Sequence, residues 1–243
     1  MLPVQMEAQR PSFAASASLS QYLKRMVHYA QMDIDNTFTQ MMYLCVAPRK
    51  VYQLTSYRKQ TKQQWARDDP AFIVVLVFFL TVAAVSYYIA LASYGASLLR
   101  LLFLYIGVHF VLGGVIVATI SWFLANAYLR VQAGHGSEQR MEWMYAFDIH
   151  CNAFFPLFLL MYVVHYLLLP YIIQTSFLAV LVGNALYAVA LAYYSYVSSL
   201  GYGQLPFLER TEVFLYPSCV LVPLILLLTL ARVSLTQLSL SFM

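Results

Sequence analysis

Charge is what this sequence has least of. Only 10% of its 243 residues are Asp, Glu, Lys or Arg, against about 25% in a soluble domain. With 62% hydrophobic residues and a mean hydropathy of +0.69, an ordinary water-soluble globule is excluded. Cysteine is scarce too: Cys45, Cys151 and Cys219 are far apart, the first in the polar N-terminal part and the other two in apolar runs, so no disulfide framework is expected. HExxH, CxxC, GxSxG, P-loop and dinucleotide fingerprints are all absent, so no enzyme signature, metal site or cofactor is expected. No Asn-x-Ser/Thr sequon occurs, as very short lumenal loops would require. The first thirty residues hold no apolar signal-peptide core, so targeting is expected to fall to the first transmembrane helix.

The charge that is present is unevenly placed. Nine of the 14 Lys and Arg residues precede residue 71. The boundary is YRKQTKQQWARDDPAF, Tyr57 to Phe72, where Arg58, Lys59, Lys62 and Arg67 give way to Asp68-Asp69-Pro70 and then to hydrocarbon. Asp69 is a good N-cap and Pro70 suits the first helical position, where its missing N–H costs nothing.

Before that boundary, residues 1–31 read as a disordered to weakly helical cytosolic tail, Ser/Ala-rich at first, with a short helix capped by Ser20. Residues 32–70 hold an amphipathic helix and the basic juxtamembrane motif. The helix, opened by Asp33 or Asp35, sets Ile34, Phe38, Met41, Met42 and Cys45 on one apolar stripe, and Pro48 ends it. At about 20 Å it is too short to span a bilayer, so it is expected on the membrane surface or packed beneath the bundle.

Residues 71–231 then supply five spans, at about 71–92, 101–128, 145–169, 177–200 and 213–231, followed by a short lumenal tail at 232–243. Pro156 is expected to break the third, and Pro217 and Pro223 to kink the fifth. Gly114 with Ala118, and Ala188 with Ala192, make small-residue faces for close helix approach. The fold class is an all-α membrane protein with five transmembrane helices and an N-terminal cytosolic amphipathic helical segment. With the N-terminus cytosolic, twelve cations fall inside and two, Arg100 and Arg232, outside, which fits the positive-inside rule.

Ionisable residues within spans are hypotheses of function by default. Asp148, His150, Asn152 and Asn184 form the candidate intramembrane polar cluster, with His109 and His165 elsewhere in the spans. His150 and His165 are about 22 Å apart along a helix, too far to share a metal. Two readings stand: interhelical hydrogen bonding, the commoner use of such residues, and a transport or intramembrane enzyme site at Asp148, His150 and Asn152. The basic motif has three readings. Its cations fix topology, or bind anionic membrane lipid at about 1 kcal/mol per cation, or meet a protein or RNA partner, with Tyr57 and Trp65 available to stack bases.

The motif, together with YAFDIHCNAFFPL (Tyr145 to Leu157), LVGNALY (Leu181 to Tyr187), LGYGQLPFL (Leu200 to Leu208) and LYP (Leu215 to Pro217), resembles the uncoordinated-fifty (Unc-fifty) family over about residues 31–231. The resemblance implies a non-enzymatic multi-pass protein of the Golgi, or of the inner nuclear membrane. It also implies recruitment of large Arf-GTPase exchange factors, retrograde traffic, and cell-surface delivery of receptor cargo. RNA binding is implied as well, but no catalytic residues. On this reading Tyr57, Arg58, Lys59, Gln60, Lys62, Trp65, Arg67 and Asp68 are a candidate surface for a partner or lipid.

Overall fold

The computed structural model describes residues 33–53, 65–67, 69–92, 95–131 and 139–242. The expected Ser20 helix lies outside them, as do Tyr57, Arg58, Lys59, Gln60, Lys62 and Asp68. Among the described residues there is no strand, only an isolated bridge between Arg130 and Leu208.

Helix α1, Ile34–Val46, is capped by Asp33, whose carboxylate accepts from the Asn36 N–H at 3.0 Å. Five helices are long and apolar enough to cross a membrane: α2 (Ala71–Leu91), α3 (Leu98–Tyr128), α4 (Trp143–Ile172), α5 (Phe177–Tyr202) and α6 (Thr211–Leu230). A short helix, α7 (Leu235–Ser241), follows. Alternation puts α1, Trp65 to Pro70 and the loops after α3 and α5 on one side, hereafter the motif side. The loops after α2, α4 and α6 lie on the other, the tail side.

Uniform hydropathy conceals which face of each span is buried. In α2 the buried line is Phe72, Leu76, Leu80, Ala84, Tyr87 and Leu91, spaced by three or four residues, whereas Phe78, Val82 and Ile89 face outward. The start of this helix is shifted by one residue from the expectation: Pro70 takes the N-cap position and Asp69 lies just before it, accepting from the Ala71 N–H at 2.9 Å, while its other oxygen accepts from the Asp33 N–H at 2.9 Å and joins the starts of α1 and α2. The motif-side loops are tied by backbone bonds from Val131 N–H to Phe207 C=O (3.0 Å) and from Glu209 N–H to Leu129 C=O (2.8 Å). Asn126 acts as a surrogate backbone, donating to the Met141 carbonyl (3.1 Å) and accepting from its N–H (2.9 Å).

Two proline expectations change. The third span is not broken at Pro156: α4 continues through it, widening to a π-helix at Leu159–Val164, and runs past Pro170 to Ile172. α6 opens with a 3-10 segment at Thr211–Leu215, and Pro217 falls in the first turn of the α-helical part that follows, Tyr216–Leu230, where an N–H has no helical partner, rather than in a helix interior. Pro223 lies inside that helix. A second π segment occupies Phe103–Leu112 of α3.

Gly114 and Ala118 are buried as a close-approach face on α3. On α5 the buried small residues are Gly183, Ala190, Ser195, Ser198 and Gly201, while Ala188 and Ala192 are only half-buried. The stripe on α1 is displaced too. Thr37, Gln40, Met41 and Leu44 pack inward, whereas Phe38 and Met42 remain 45% and 67% exposed. Phe38, Met41, Met42 and Cys45 instead roof an apolar groove of about 430 Å³ against α2 and α4. Partial burial pushes the Cys45 thiol pKa up, so it stays protonated at neutral pH.

Candidate functional site

The end of the basic motif folds into the bundle. Trp65 is 6% exposed, its ring 6.1 Å from that of Tyr145 and 6.3 Å from that of Phe207. Arg67 passes over the Phe72 ring at 4.3 Å and reaches α4, where its Nε lies 3.0 Å from Asp148 Oδ1 and its Nη2 donates to Asn152 Oδ1. The side chains of Arg67 and Asp148 are 8% and 14% exposed. Helical spacing explains the convergence: Asp148 and Asn152, four residues apart, present their side chains on one face. Tyr52 is fully buried in the same place, and burial pushes its hydroxyl pKa up, so the group stays protonated. Among the described residues neither the Tyr52 hydroxyl nor Arg67 Nη1 completes a hydrogen bond.

This geometry is a charged clasp between the motif and the third span. Its ion pair is nearly dry, so each partner depends on the other. The clasp also removes Trp65 from any base-stacking role, since its ring is enclosed by Tyr145 and Phe207.

His150 does not join the clasp. Two residues from Asp148, it faces roughly the opposite way. Its Nδ1 hydrogen-bonds the Tyr194 hydroxyl at 2.7 Å and its Nε2 the Phe110 carbonyl at 3.2 Å. A Cβ on Gly114 would come within 2.6 Å of the His150 ring, so glycine there is what admits the imidazole.

Asn184 lies at the other end of the bundle. It donates to Thr229 Oγ1 (3.0 Å) and the Val233 carbonyl (2.9 Å), and accepts from the Leu235 N–H (3.0 Å), holding the turn that enters α7. His165 bonds Tyr87 (2.8 Å) and the fully buried Thr236 of α7 (3.1 Å). The four candidate polar residues are thus divided among three places. Among the described residues no three His, Cys, Asp or Glu side chains converge where a metal ion could be held.

Arg67, Asp148, His150, Asn152 and Asn184 fall in the recognisable stretches of sequence, and comparison with known proteins agrees. The family model described as the UNC-50 family matches residues 22–243. The chain belongs to the UNC-50 family. That match takes in the C-terminal tail and α7, beyond the 31–231 covered by the sequence resemblance. A protein unc-50 homolog of Dictyostelium discoideum is 48% identical over 215 residues, 86% of this chain and 82% of its own length. Protein unc-50 homologs of Homo sapiens (41% over 214 residues; 88% of this chain, 81% of theirs) and Danio rerio (40% over 210; 85% and 80%) are also similar. No solved structure matches.

Within this UNC-50 chain the clasp rests on two of the recognisable stretches, since Arg67 comes from the first and Asp148 and Asn152 from the second. A third stretch, LVGNALY, holds Gly183 and Asn184, which receive α7.

Proposed function

We propose that this UNC-50 family member is a non-enzymatic Golgi trafficking factor whose motif side, facing the cytosol, recruits a large Arf-GTPase exchange factor. Its C-terminus is then lumenal, and receptor cargo depends on it for delivery to the cell surface. The single observation that carries the reading is how the intramembrane polar residues are used. Asp148 and Asn152 clasp Arg67, His150 binds α3 and α5, and Asn184 holds the tail turn. They join helices, which is the work of a scaffold, and the chain they brace carries its cations on the motif side, twelve against two. A transporter or enzyme at Asp148, His150 and Asn152 has no comparable support, because His150 is turned away from the other two.

Reversing charge at Arg58, Lys59 and Lys62 (each to Glu) is expected to abolish co-purification of the exchange factor with this protein while its Golgi location is kept. Undiminished co-purification would remove the basic run from the recruiting face.

A further inference from the structure

Two cavities, one across the middle of the bundle and one toward its tail-side end, have no part in the scaffold reading. The larger, about 540 Å³, lies among α3, α4 and α5 and is walled by apolar side chains with His109, His150, His165 and several tyrosines. The smaller, about 430 Å³, is lined by Arg100, Phe103, Leu104, His109, Ser239 and Phe242. His109 and Ser239 line both, so the two adjoin. Each falls within the roughly 300–1,000 Å³ of typical ligand pockets.

His109 is the anomaly. Its Nδ1 hydrogen-bonds the Tyr162 hydroxyl at 2.6 Å, but Nε2 makes no hydrogen bond among the described residues. Its side chain is exposed, eleven residues into a span. An imidazole nitrogen left open in hydrocarbon is costly unless a polar group meets it. Moreover, the His109–Tyr162 bond joins the π segment of α3 to that of α4. Such segments are rare and often accompany functional sites.

Charge identifies the ligand. The tail-side cations are Arg100, in the first turn of α3, and Arg232, in the loop after α6, and no Asp or Glu lies on that side; among the described residues Arg100 is the one ionised side chain lining either cavity. A guanidinium at the membrane surface suits a phosphate, and the apolar chamber beyond it suits a hydrocarbon chain. We propose that the paired cavities bind an anionic phospholipid of the tail-side leaflet, its headgroup phosphate at Arg100, a glycerol ester group at His109 Nε2, and one acyl chain running on into the chamber. This assignment is independent of exchange-factor recruitment.

The test uses the full chain in phosphatidylcholine vesicles carrying a phosphatidylserine probe with a photoactivatable diazirine on its acyl chain. Parallel samples carry a phosphatidylcholine probe with the same chain, or a diazirine sterol. Crosslinked peptides are mapped by mass spectrometry. The phosphatidylserine probe is expected to label the chamber wall at Leu157 and Met161 more strongly than the other two. Arg100→Gln should erase its advantage over phosphatidylcholine. A Cβ at Gly113 meets nothing closer than the Val108 carbonyl at 3.5 Å, so Gly113→Leu should reach into the chamber without a backbone clash. That variant should cut wall labelling about tenfold, equivalent to about 1.4 kcal/mol, and leave labelling of the outward Phe78 face unchanged. An unlabelled wall in the unaltered protein would overturn the proposal. So would preferential labelling by the sterol, or equal labelling by both phospholipids.

Discussion

Arg67→Met is expected to destabilise the protein by about 3–5 kcal/mol, the usual consequence of leaving one member of a buried ion pair without its partner. The variant leaves Asp148, 14% exposed, facing an apolar side chain, and deprives the Asn152 carbonyl oxygen of its donor. Arg67→Met combined with Asp148→Leu should regain most of that loss. Replacing both charges by packed apolar groups is often neutral or stabilising, and only Asn152 remains short of a bond, at about 1 kcal/mol. Unfolding in mixed micelles, followed by loss of helical circular dichroism, measures both. If the two losses simply added, the clasp would not be an interacting pair.

Gly183→Val should have the second-largest effect. A Cβ at this position would come within 2.7 Å of Thr236 Oγ1, so the added side chain must push α7 off the bundle. Three bonds are at stake: His165 to Thr236, Asn184 to the Leu235 N–H, and Asn184 to the Val233 carbonyl. Overpacking of this kind costs about 1–3 kcal/mol. Amide hydrogen exchange across residues 235–241 should therefore quicken by about ten- to a hundredfold, while α2 is unaffected. Unchanged exchange would mean that α7 is held by something other than this contact.

The two variants mark what could and could not be read from the amino-acid order. The five spans were legible because crossing hydrocarbon demands length and apolarity, and both are local properties. The start of α2 was legible to within one residue: Asp69 accepts from the Ala71 N–H, but Pro70 occupies the cap position. Partners were not. Arg67 and Asn152 are 85 residues apart, and nothing local distinguishes a cation that turns into a bundle from one that stays at its surface. Trp65 and Arg67 therefore read as part of a charged surface because of the run before them, although both side chains fold inward. The candidate cluster separates in space because the alternation of faces along α4 turns His150 away from Asp148 and Asn184 lies on α5 at the other end of the bundle. The tail helix did carry a signal, the S-x-x-Q capping pattern of Ser234 and Gln237, which the structure realises as a Ser234 side chain accepting from the Gln237 N–H at 3.2 Å. The π segments around His109 and Tyr162 had none.

The specificity of the motif beyond its charge now divides in two. Trp65 and Arg67 are accounted for by packing and by the clasp. The basic residues before them lie outside the described residues.

The most direct test of the scaffold account uses the Arg67→Met, Asp148→Leu protein at wild-type abundance, with capture of the exchange factor on membranes as the measurement. A scaffold needs the helices joined but no charge at that point, so the paired variant should capture as much exchange factor as the unaltered protein. Lost capture at equal abundance and equal stability would contradict the account and assign Asp148 a role in chemistry or transport.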